Sequence, residues 1–282
     1  MKNTIHNTIQ IDKEHTAHFH HHHENDKIHV DYKYKQDLYE VKTLCIRPQS
    51  GLSGDMLLCG LASLLQITDE ELNNIVKSVG LEILDNVVKI APRFVHGIQG
   101  MSAVVNLPHE HCHRTNAEIQ SIIEKSSLTE KAKQYAKDTF NLLAKAEAIV
   151  HGKKMEEVCF HEVGALDSIL DICVVCALFD KLQIENFICG ALPLADGIIQ
   201  CAHGFIPSPA PAVLQLLENV PVCAFTGKGE TITPTAIALL KALKADFGLW
   251  PSMKIEKSIL VYGSKVFENA PNGSIFALGQ AL

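Results

Sequence analysis

Residues 160–176, FHEVGALDSILDICVVC, combine a strongly apolar run with polar side chains that can bind a cation. If the LDSILDI part is helical, Asp167 and Asp171 share a face, because positions i and i+4 are neighbours on a helix. Burying a carboxylate among apolar side chains is costly unless it is paired, hydrogen-bonded or bound to a cation. Two interpretations follow: an ion pair or cap at a helix edge, or a metal or catalytic site that includes His161 and Glu162 just upstream.

The composition is that of a soluble globular protein, and it argues against several classes of partner. The 282 residues are 47% hydrophobic and 20% charged, enough for one large domain or two small ones. The net charge of -7 is the opposite of the basic face that nucleic-acid binding requires. No apolar run approaches the ~18 residues of a membrane helix, and the polar N-terminus is no signal peptide. The sequence therefore predicts a cytosolic protein without a nucleic-acid or membrane partner.

The 9 cysteines are scattered along the chain and lie mostly within apolar stretches. Their odd number and the lack of a secretion signal predict reduced thiols rather than a disulfide framework. Cys173 and Cys176 form a C-x-x-C pair inside the apolar run. Because a free cysteine packs like a small hydrophobic residue, this pair favours core packing over a soft metal site.

Residues 1–40 are polar, charged and without sustained periodicity, which predicts a disordered extension. Its centre is the tract HTAHFHHHHEND, at residues 15–26. Imidazole suits nickel, copper and zinc, so the tract predicts a metal-binding extension. The consecutive histidines are His20, His21, His22 and His23. An expression tag is the alternative, and the interruption at Phe19 disfavours it.

Residues 41–282 alternate strand-like and helix-like segments, which predicts one α/β domain with a layered mixed sheet flanked by helices. VKTLCIRPQ predicts the first strand, and an apolar helix follows the loop SGLSGDM. Glycines in this loop allow the backbone to approach a ligand closely, and exposed amides at a helix N-terminus attract anions. A tight strand-to-helix turn is the alternative. The candidate anion-binding residues are Ser50, Gly51, Ser53 (also a candidate N-cap), Gly54 and Asp55.

Further helices are predicted from capping signals. Thr68 with Glu71 and Thr115 with Glu118 each form a capping box. Ser127 with Glu130 predicts the start of a long helix that ends at His151 before Gly152. Thr233 predicts the cap of a helix that starts at Pro234 and runs to Phe247.

Two further histidine groups are candidates for metal binding. The segment HEHCH, at residues 109–113, is either a metal loop or a solvated turn. Glu147 and His151 lie four residues apart in the last turn of the long helix, where the helix dipole favours a protonated histidine. This position favours a structural role over metal ligation.

Five motifs, in order along the chain, resemble the LarC family of nickel-insertion proteins over about residues 43–282. They are SGLSGDM (50–56), AEAIVHG (146–152), FHEVGALDSILDI (160–172), CAHGFIPSPAPAVLQLL (201–217) and GETITPT (229–235). The resemblance implies a cytosolic enzyme of the lyase class that inserts Ni(II) into pyridinium-3,5-bisthiocarboxylic acid mononucleotide. The product is the nickel-pincer cofactor of lactate racemase.

The resemblance also implies partners. In family chains CTP with Mn or Mg is handled by a C-terminal domain, and because the sequence stops at Leu282 this domain is expected to be on another chain. A separate C-terminal LarC-like chain is therefore an expected partner, and a lactate racemase-type apo-enzyme is the expected recipient of the cofactor. The resemblance leaves open whether the chain forms a homo-oligomer.

Within the resemblance, His161 and Glu162 are the expected metal ligands or proton acceptor. The residues expected to complete or orient the metal shell are Asp167, Asp171 and His203. Thr233 and Thr235, beside a helix N-terminus, are a second candidate anion site. The alternative function is a non-enzymatic nickel chaperone or storage protein on a diverged LarC-like scaffold, with its metal mainly on the N-terminal histidines.

Overall fold

The computed structural model describes residues 10–11, 15–16, 41–81, 87–107, 114–160, 166–201 and 203–282. The histidines at 20–23, the HEHCH segment, His161 and Glu162 lie outside the described residues. Within Met1–Tyr39, the described segments are two short antiparallel strands, β1 (Gln10–Ile11) and β2 (His15–Thr16). The predicted disorder of this extension otherwise stays a prediction. Contacts group Glu40–Leu282 into a second compact unit.

The second unit is built on a seven-stranded mixed sheet. The described strands of this unit, inside and outside that sheet, are β3 (Lys42–Arg47), β4 (Val88–Val95), β5 (Ile98–Val105), β6 (Arg114–Thr115), β7 (Cys159–Phe160), β8 (Asn186–Cys189), β9 (Leu192–Leu194), β10 (Gly197–Cys201), β11 (Gly204–Ser208), β12 (Val222–Ala224), β13 (Asp246–Phe247), β14 (Met253–Val261) and β15 (Ser274–Ala281). The sheet has the order β13-β8-β3-β15-β14-β5-β4. Strands β13, β8 and β3 are parallel, whereas β15 is antiparallel to both of its neighbours.

Strand β3 lies inside the sheet, between β8 and β15. Its residues Leu44, Cys45 and Ile46 are fully buried, as expected for a continuous apolar run with neighbours on both sides. The other described strands of this unit form three two-stranded pairs: β6 with β7, β9 with β12, and the antiparallel hairpin β10–β11. The predicted mixed α/β fold is confirmed.

Seven described α-helices accompany the strands. They are α1 (Gly54–Leu65), α2 (Asp69–Ser78), α3 (Asn116–Lys125), α4 (Glu130–His151), α5 (Leu166–Leu182), α6 (Pro211–Leu216) and α7 (Pro234–Ala242). Helix α1 contacts β5, β14 and β15 as well as α5 and α7, and α4 packs against α5, α6 and α7. None of the helices among the residues described is both long and apolar enough to cross a membrane.

Most of the predicted helix ends are confirmed, and two are wrong. Both capping boxes form at the starts of α2 and α3. Helix α4 ends at His151 before a left-handed Gly152, but Thr129, not Ser127, is its N-cap and accepts the Ala132 amide. Helix α7 stops at Ala242, well before the predicted end at Phe247, because the chain turns to pair β13 with β8.

Helix α5 forms the centre of the core, as its apolar run predicts. Its residues from Ile169 to Cys176, except the partly exposed Asp171, have no solvent exposure. Burial of each large aliphatic side chain stabilises the fold by about 1.5–3 kcal/mol. The C-x-x-C pair is part of this core, because Cys173 and Cys176 are both fully buried.

The burial of this pair predicts its reactivity toward thiol reagents. Burial raises the pKa of Cys173 to about 12, so the native protein contains almost no reactive thiolate there. We expect iodoacetamide to modify the exposed Cys223 in native protein and to reach Cys173 only after unfolding. Peptide mass spectrometry measures both sites in one sample, and equal labelling rates at the two cysteines would contradict this burial.

Candidate functional site

The loop before α1 is held by the segment before α7. The Leu52 amide donates to the Thr231 carbonyl at 2.9 Å, and the Thr233 amide donates to the Leu52 carbonyl at 3.2 Å. Gly51, at φ +132°, lies so close to Thr231 that a Cβ atom would overlap its carbonyl oxygen. The close backbone approach expected at this glycine is thus made by Thr231 of the same chain. Two motifs distant in sequence, SGLSGDM and GETITPT, are joined here.

The serines of this loop have different partners. The Ser50 hydroxyl is buried and donates to the Gly273 carbonyl at 3.1 Å, while Ser274 donates to the Gly51 carbonyl at 2.6 Å. Ser53 occupies the N-cap position of α1, but it makes no side-chain cap, and its hydroxyl donates to the Asp55 carboxylate. The first turn of α1 therefore receives no bond from its cap side chain, which is compatible with an anion bound there.

Helix α7 begins at the same place. Thr233 is its N-cap, as predicted, and its hydroxyl accepts the Ala236 amide at 3.2 Å. Thr235, in the first turn, packs against α1: a Cβ atom at Gly54 would lie 3.2 Å from its Cγ2 atom. The absence of a side chain at Gly54 therefore allows the first turns of the two helices to meet.

Asp171 of α5 completes this meeting point. A Cβ atom at Gly54 would lie 3.0 Å from Oδ2 of Asp171, so the carboxyl group packs directly on the start of α1. Its Oδ1 atom is shielded from solvent and has no hydrogen-bond partner among the described residues. Burial, together with the negative charges of Asp55 and then Asp167, raises the pKa of Asp171 well above its usual value.

Three predicted parts of the site thus converge where α1, α5 and α7 begin. Gly54, Asp171 and Thr235 meet within contact distance, and Asp55 and Asp167 act on Asp171 through their charge. We call this place the three-helix junction. The segment HEVGA, which contains His161 and Glu162, is not described, but Phe160 and Leu166 on either side of it are. The roles of His161, Glu162 and the histidines at 20–23 stay predictions.

His203 lies in a second group of side chains, around a cavity of about 300 Å³. Its ring centroid is 5.0 Å from that of His151, and its Nδ1 atom is 4.0 Å from Sγ of Cys201. His151 in turn contacts the Glu147 carboxylate, with 3.2 Å between Nε2 and Oε2. We call these four residues the cavity cluster.

The cavity cluster contains residues that the sequence alone did not bring together. The available signal was the His-Gly pair that closes AEAIVHG and recurs in CAHGFIP, since both motifs belong to the LarC resemblance. As the side chains stand, no three His, Cys, Asp or Glu residues within the described ranges converge closely enough to hold one metal ion. The cavity is also lined by Phe160 and Pro234, the neighbours in sequence of His161 and Thr235.

Comparison with known families gives these groups a context. The family model described as "Nickel insertion protein" matches residues 44–278, which include both the three-helix junction and the cavity cluster. The chain belongs to the nickel insertion protein family. This membership confirms the resemblance inferred from the five motifs, and it makes nickel the metal that the family handles.

Several relatives cover most of this chain. A Staphylococcus epidermidis protein named "Pyridinium-3,5-bisthiocarboxylic acid mononucleotide nickel insertion protein" is 36% identical over 231 residues, covering 82% of this chain and 58% of the relative. A Geobacter metallireducens relative, whose name also describes nickel insertion, is 37% identical over 232 residues, or 82% of this chain and 59% of its own. The chain spans about three fifths of the length of these curated relatives. No solved structure matches it.

Proposed function

We propose that this chain inserts Ni(II) into pyridinium-3,5-bisthiocarboxylic acid mononucleotide, the activity that the name of the Staphylococcus epidermidis relative gives to that protein. The observation that carries the proposal is the three-helix junction. Three of the five family motifs, SGLSGDM, FHEVGALDSILDI and GETITPT, meet there through Gly54, Asp171 and Thr235. Nickel is a substrate of this reaction, which the protein would hold briefly and pass on.

The insertion is a ligand exchange at nickel. Two thiocarboxylate sulfurs and a ring carbon of the nucleotide replace the protein's ligands on the metal, and the carbon gives up its proton as the metal–carbon bond forms. Nitrogen and oxygen donors suit such a transient site, because thiolates hold Ni(II) more strongly. We assign His161 and Glu162 as ligands or proton acceptor, with Asp167, Asp171 and His203 completing or orienting the shell.

The nucleotide's anionic groups are assigned to the starts of α1 and α7. The positive ends of both helix dipoles point to the junction, where residues 50–55, Thr233 and Thr235 would bind a phosphate or carboxylate. Ser50 contributes indirectly in this arrangement, since its hydroxyl is bonded to Gly273.

The remaining assignments follow from the family resemblance. We propose that CTP with Mn or Mg is supplied through a partner domain, in a separate C-terminal LarC-like chain. A lactate racemase-type apo-enzyme would receive the product in the cytoplasm, and the extension at 1–40 would gather nickel through His20, His21, His22 and His23. Sedimentation would measure whether this chain forms a homo-oligomer and whether it binds the partner chain.

The test is the substitution His161→Ala in the full chain whose histidines at 20–23 are replaced by alanine. We expect Ni(II) affinity, measured by calorimetry, to fall about tenfold or more, because a direct ligand is lost. Formation of the nickel-loaded nucleotide, measured by mass spectrometry with the CTP-binding partner present, should fall with it. The matched control is His96→Ala, which removes an exposed turn histidine between β4 and β5.

Two results would count against this proposal. If His161→Ala leaves both nickel affinity and product formation intact, the central assignment is wrong. If nickel binding disappears entirely once the histidines at 20–23 are replaced, and no product forms with the unmodified chain, the protein is a nickel store or chaperone.

A further inference from the structure

The parallel strands β3, β8 and β13 end next to one another at one edge of the sheet. Arg47 is the last residue of β3, and Gly190 and Gly248 directly follow β8 and β13. Along the chain, the next described strand of this sheet after β3 is β4, whereas after β8 it is β13, at the opposite end of the strand order. Adjacent parallel strands whose connections leave in opposite directions border a crevice where open α/β sheets bind ligands. The crevice between β3 and β8 is therefore a candidate ligand site.

Arg47 lies in this crevice, and three neighbours position its guanidinium group. A Cβ atom at Gly190 would lie 2.8 Å from Cζ of Arg47, so the missing side chain at Gly190 makes room for the guanidinium. Cζ also lies over the ring of Trp250, 5.7 Å from its centroid. Nη1 donates to the Gly248 carbonyl at 2.8 Å. The guanidinium is thus held where the three strands end.

A purely structural role accounts for only part of the hydrogen-bonding capacity of Arg47. An arginine has five N–H donors, and the bond that ties Arg47 to Gly248 uses one of them. The side chain is half-buried, and within the described ranges no carboxylate forms an ion pair with it. The planar fork of a guanidinium matches the oxygens of a phosphate group. The remaining donors can therefore bind an oxyanion.

Trp250 adds an aromatic surface to this crevice. It is the only tryptophan in the sequence, and it is 44% exposed although it contacts Arg47. An exposed indole offers a face on which a planar ring can stack. A cation beside such a surface suits a phosphate group that is attached to a flat heterocycle, as in a mononucleotide.

We propose that Arg47 binds a phosphate group in the crevice between the carboxyl ends of β3 and β8, next to the aromatic surface of Trp250. That this phosphate belongs to the pyridinium mononucleotide rests on the proposed function. In that case the two thiocarboxylates of the nucleotide are left for the three-helix junction, which the chain reaches from Arg47 through residues 50–55.

The single tryptophan makes binding measurable, because all tryptophan fluorescence of this chain comes from Trp250. The full chain, without nickel, is titrated with nicotinamide mononucleotide, which carries one phosphate, and with nicotinamide riboside, which has none. We expect saturable quenching by the pyridinium ring, with the mononucleotide bound about tenfold or more tighter than the riboside. Inorganic phosphate should compete with the mononucleotide and restore the fluorescence.

Substitution of Arg47 by glutamine should remove this preference for the phosphate. Without the charge-assisted hydrogen bonds, Arg47→Gln is expected to bind the mononucleotide about tenfold or more weakly, and no better than the riboside. Arg47→Lys keeps the charge but loses the planar fork, so it should retain only part of the preference. An unchanged thermal midpoint checks that both variants fold.

Two further variants test the position and the specificity of the contact. Gly190→Ala should also reduce the preference, because the new Cβ atom displaces the flexible end of Arg47 and meets no backbone atom as closely. The matched control is Lys131→Gln on α4, which removes the same charge from another contact between a cation and a ring, that of Lys131 with Tyr135. This control should leave both affinities unchanged within about twofold.

Three results would overturn the proposal. They are the lack of saturable quenching, equal affinities of the unmodified chain for mononucleotide and riboside, and a phosphate preference that persists in Arg47→Gln. If inorganic phosphate competes with an affinity equal to that of the mononucleotide, the phosphate site is upheld and its ligand is the free ion.

The outcome is distinguishable from that of the insertion assay. A phosphate preference that depends on Arg47, in a chain that forms no nickel-loaded nucleotide, would uphold this site and count against the proposed function. Product formation without such a preference would do the reverse. If both hold, Arg47→Gln should raise the KM for the nucleotide about tenfold and change kcat much less, as expected for a residue that binds the substrate away from the nickel.

Discussion

Substitution of Gly51 by alanine is expected to lower the free energy of unfolding by about 3 kcal/mol or more. The new Cβ atom would overlap the carbonyl oxygen of Thr231 and lie 2.9 Å from its carbonyl carbon. Backbone atoms cannot yield as a flexible side chain can, and the φ of +132° adds strain for any residue with a side chain. To relieve this overlap, the backbone hydrogen bonds between Leu52 and the Thr231–Thr233 segment must break.

The functional consequence should be as large as the loss of stability. Separating the two segments removes the alignment of α1 with α7, and we expect formation of the nickel-loaded nucleotide to fall to background. Urea unfolding followed by circular dichroism measures the stability, and mass spectrometry measures the product.

Gly248 provides the matched control for this substitution. It has no positive φ, and an added Cβ atom would meet no neighbour within 4 Å. Gly248→Ala should therefore change the unfolding free energy by less than about 0.5 kcal/mol. Equal urea midpoints for Gly51→Ala and the unmodified chain would show that the loop before α1 does not pair with the segment before α7.

The local elements of this fold could be predicted from sequence wherever short-range interactions decide them. Both capping boxes formed because each needs only two residues three positions apart, Thr68 with Glu71 and Thr115 with Glu118. Local sequence does not predict the end of α7, for the opposite reason. The residues after Ala242 continue a helical pattern, but Asp246 and Phe247 pair with β8, more than fifty residues earlier in the chain. No local pattern contains that partner.

The candidate site shows the same division. Asp167 and Asp171 were recognised because four-residue spacing on an apolar helix is a local signal. That Asp171 packs on Gly54 depends on the arrangement of three helices, which spacing does not encode. The local sequence shows only that His151 lies at the end of α4, whereas its neighbour His203 lies on a hairpin from elsewhere in the chain. Sequence motifs thus identify candidate site residues, whereas tertiary contacts decide which of these residues lie next to each other.

Asp171 should make the stability of the metal-free protein depend on pH in a characteristic direction. Burial first, then the charges of Asp55 and Asp167, raise its pKa in the folded state above the value of ~3.9 expected in the unfolded chain. The folded state therefore binds the proton more tightly than the unfolded state. Its stabilising effect is fully present below the unfolded-state pKa and is lost as the pH rises toward the folded-state pKa.

The substitution Asp171→Asn removes this dependence, because asparagine does not ionise. At low pH the variant and the unmodified chain should be similarly stable, since both side chains are neutral there. As the pH rises above ~4 the variant should gain relative stability by up to ~1.4 kcal/mol per pH unit, and the gain should level off above the folded-state pKa. Nickel insertion should decrease strongly in the same variant, because the carboxylate assigned to the metal shell is gone.

Urea unfolding between pH 4 and 8, with a chelator present, measures the difference between the two proteins. Asp246→Asn, which changes an exposed carboxylate on β13, controls for the substitution itself and should shift stability by less than about 0.5 kcal/mol throughout. Parallel stability curves for Asp171→Asn and the unmodified chain would show that Asp171 titrates as it does in the unfolded chain. A variant that gains stability with pH while losing insertion would mean that the protein keeps a destabilising carboxylate at the three-helix junction for its function.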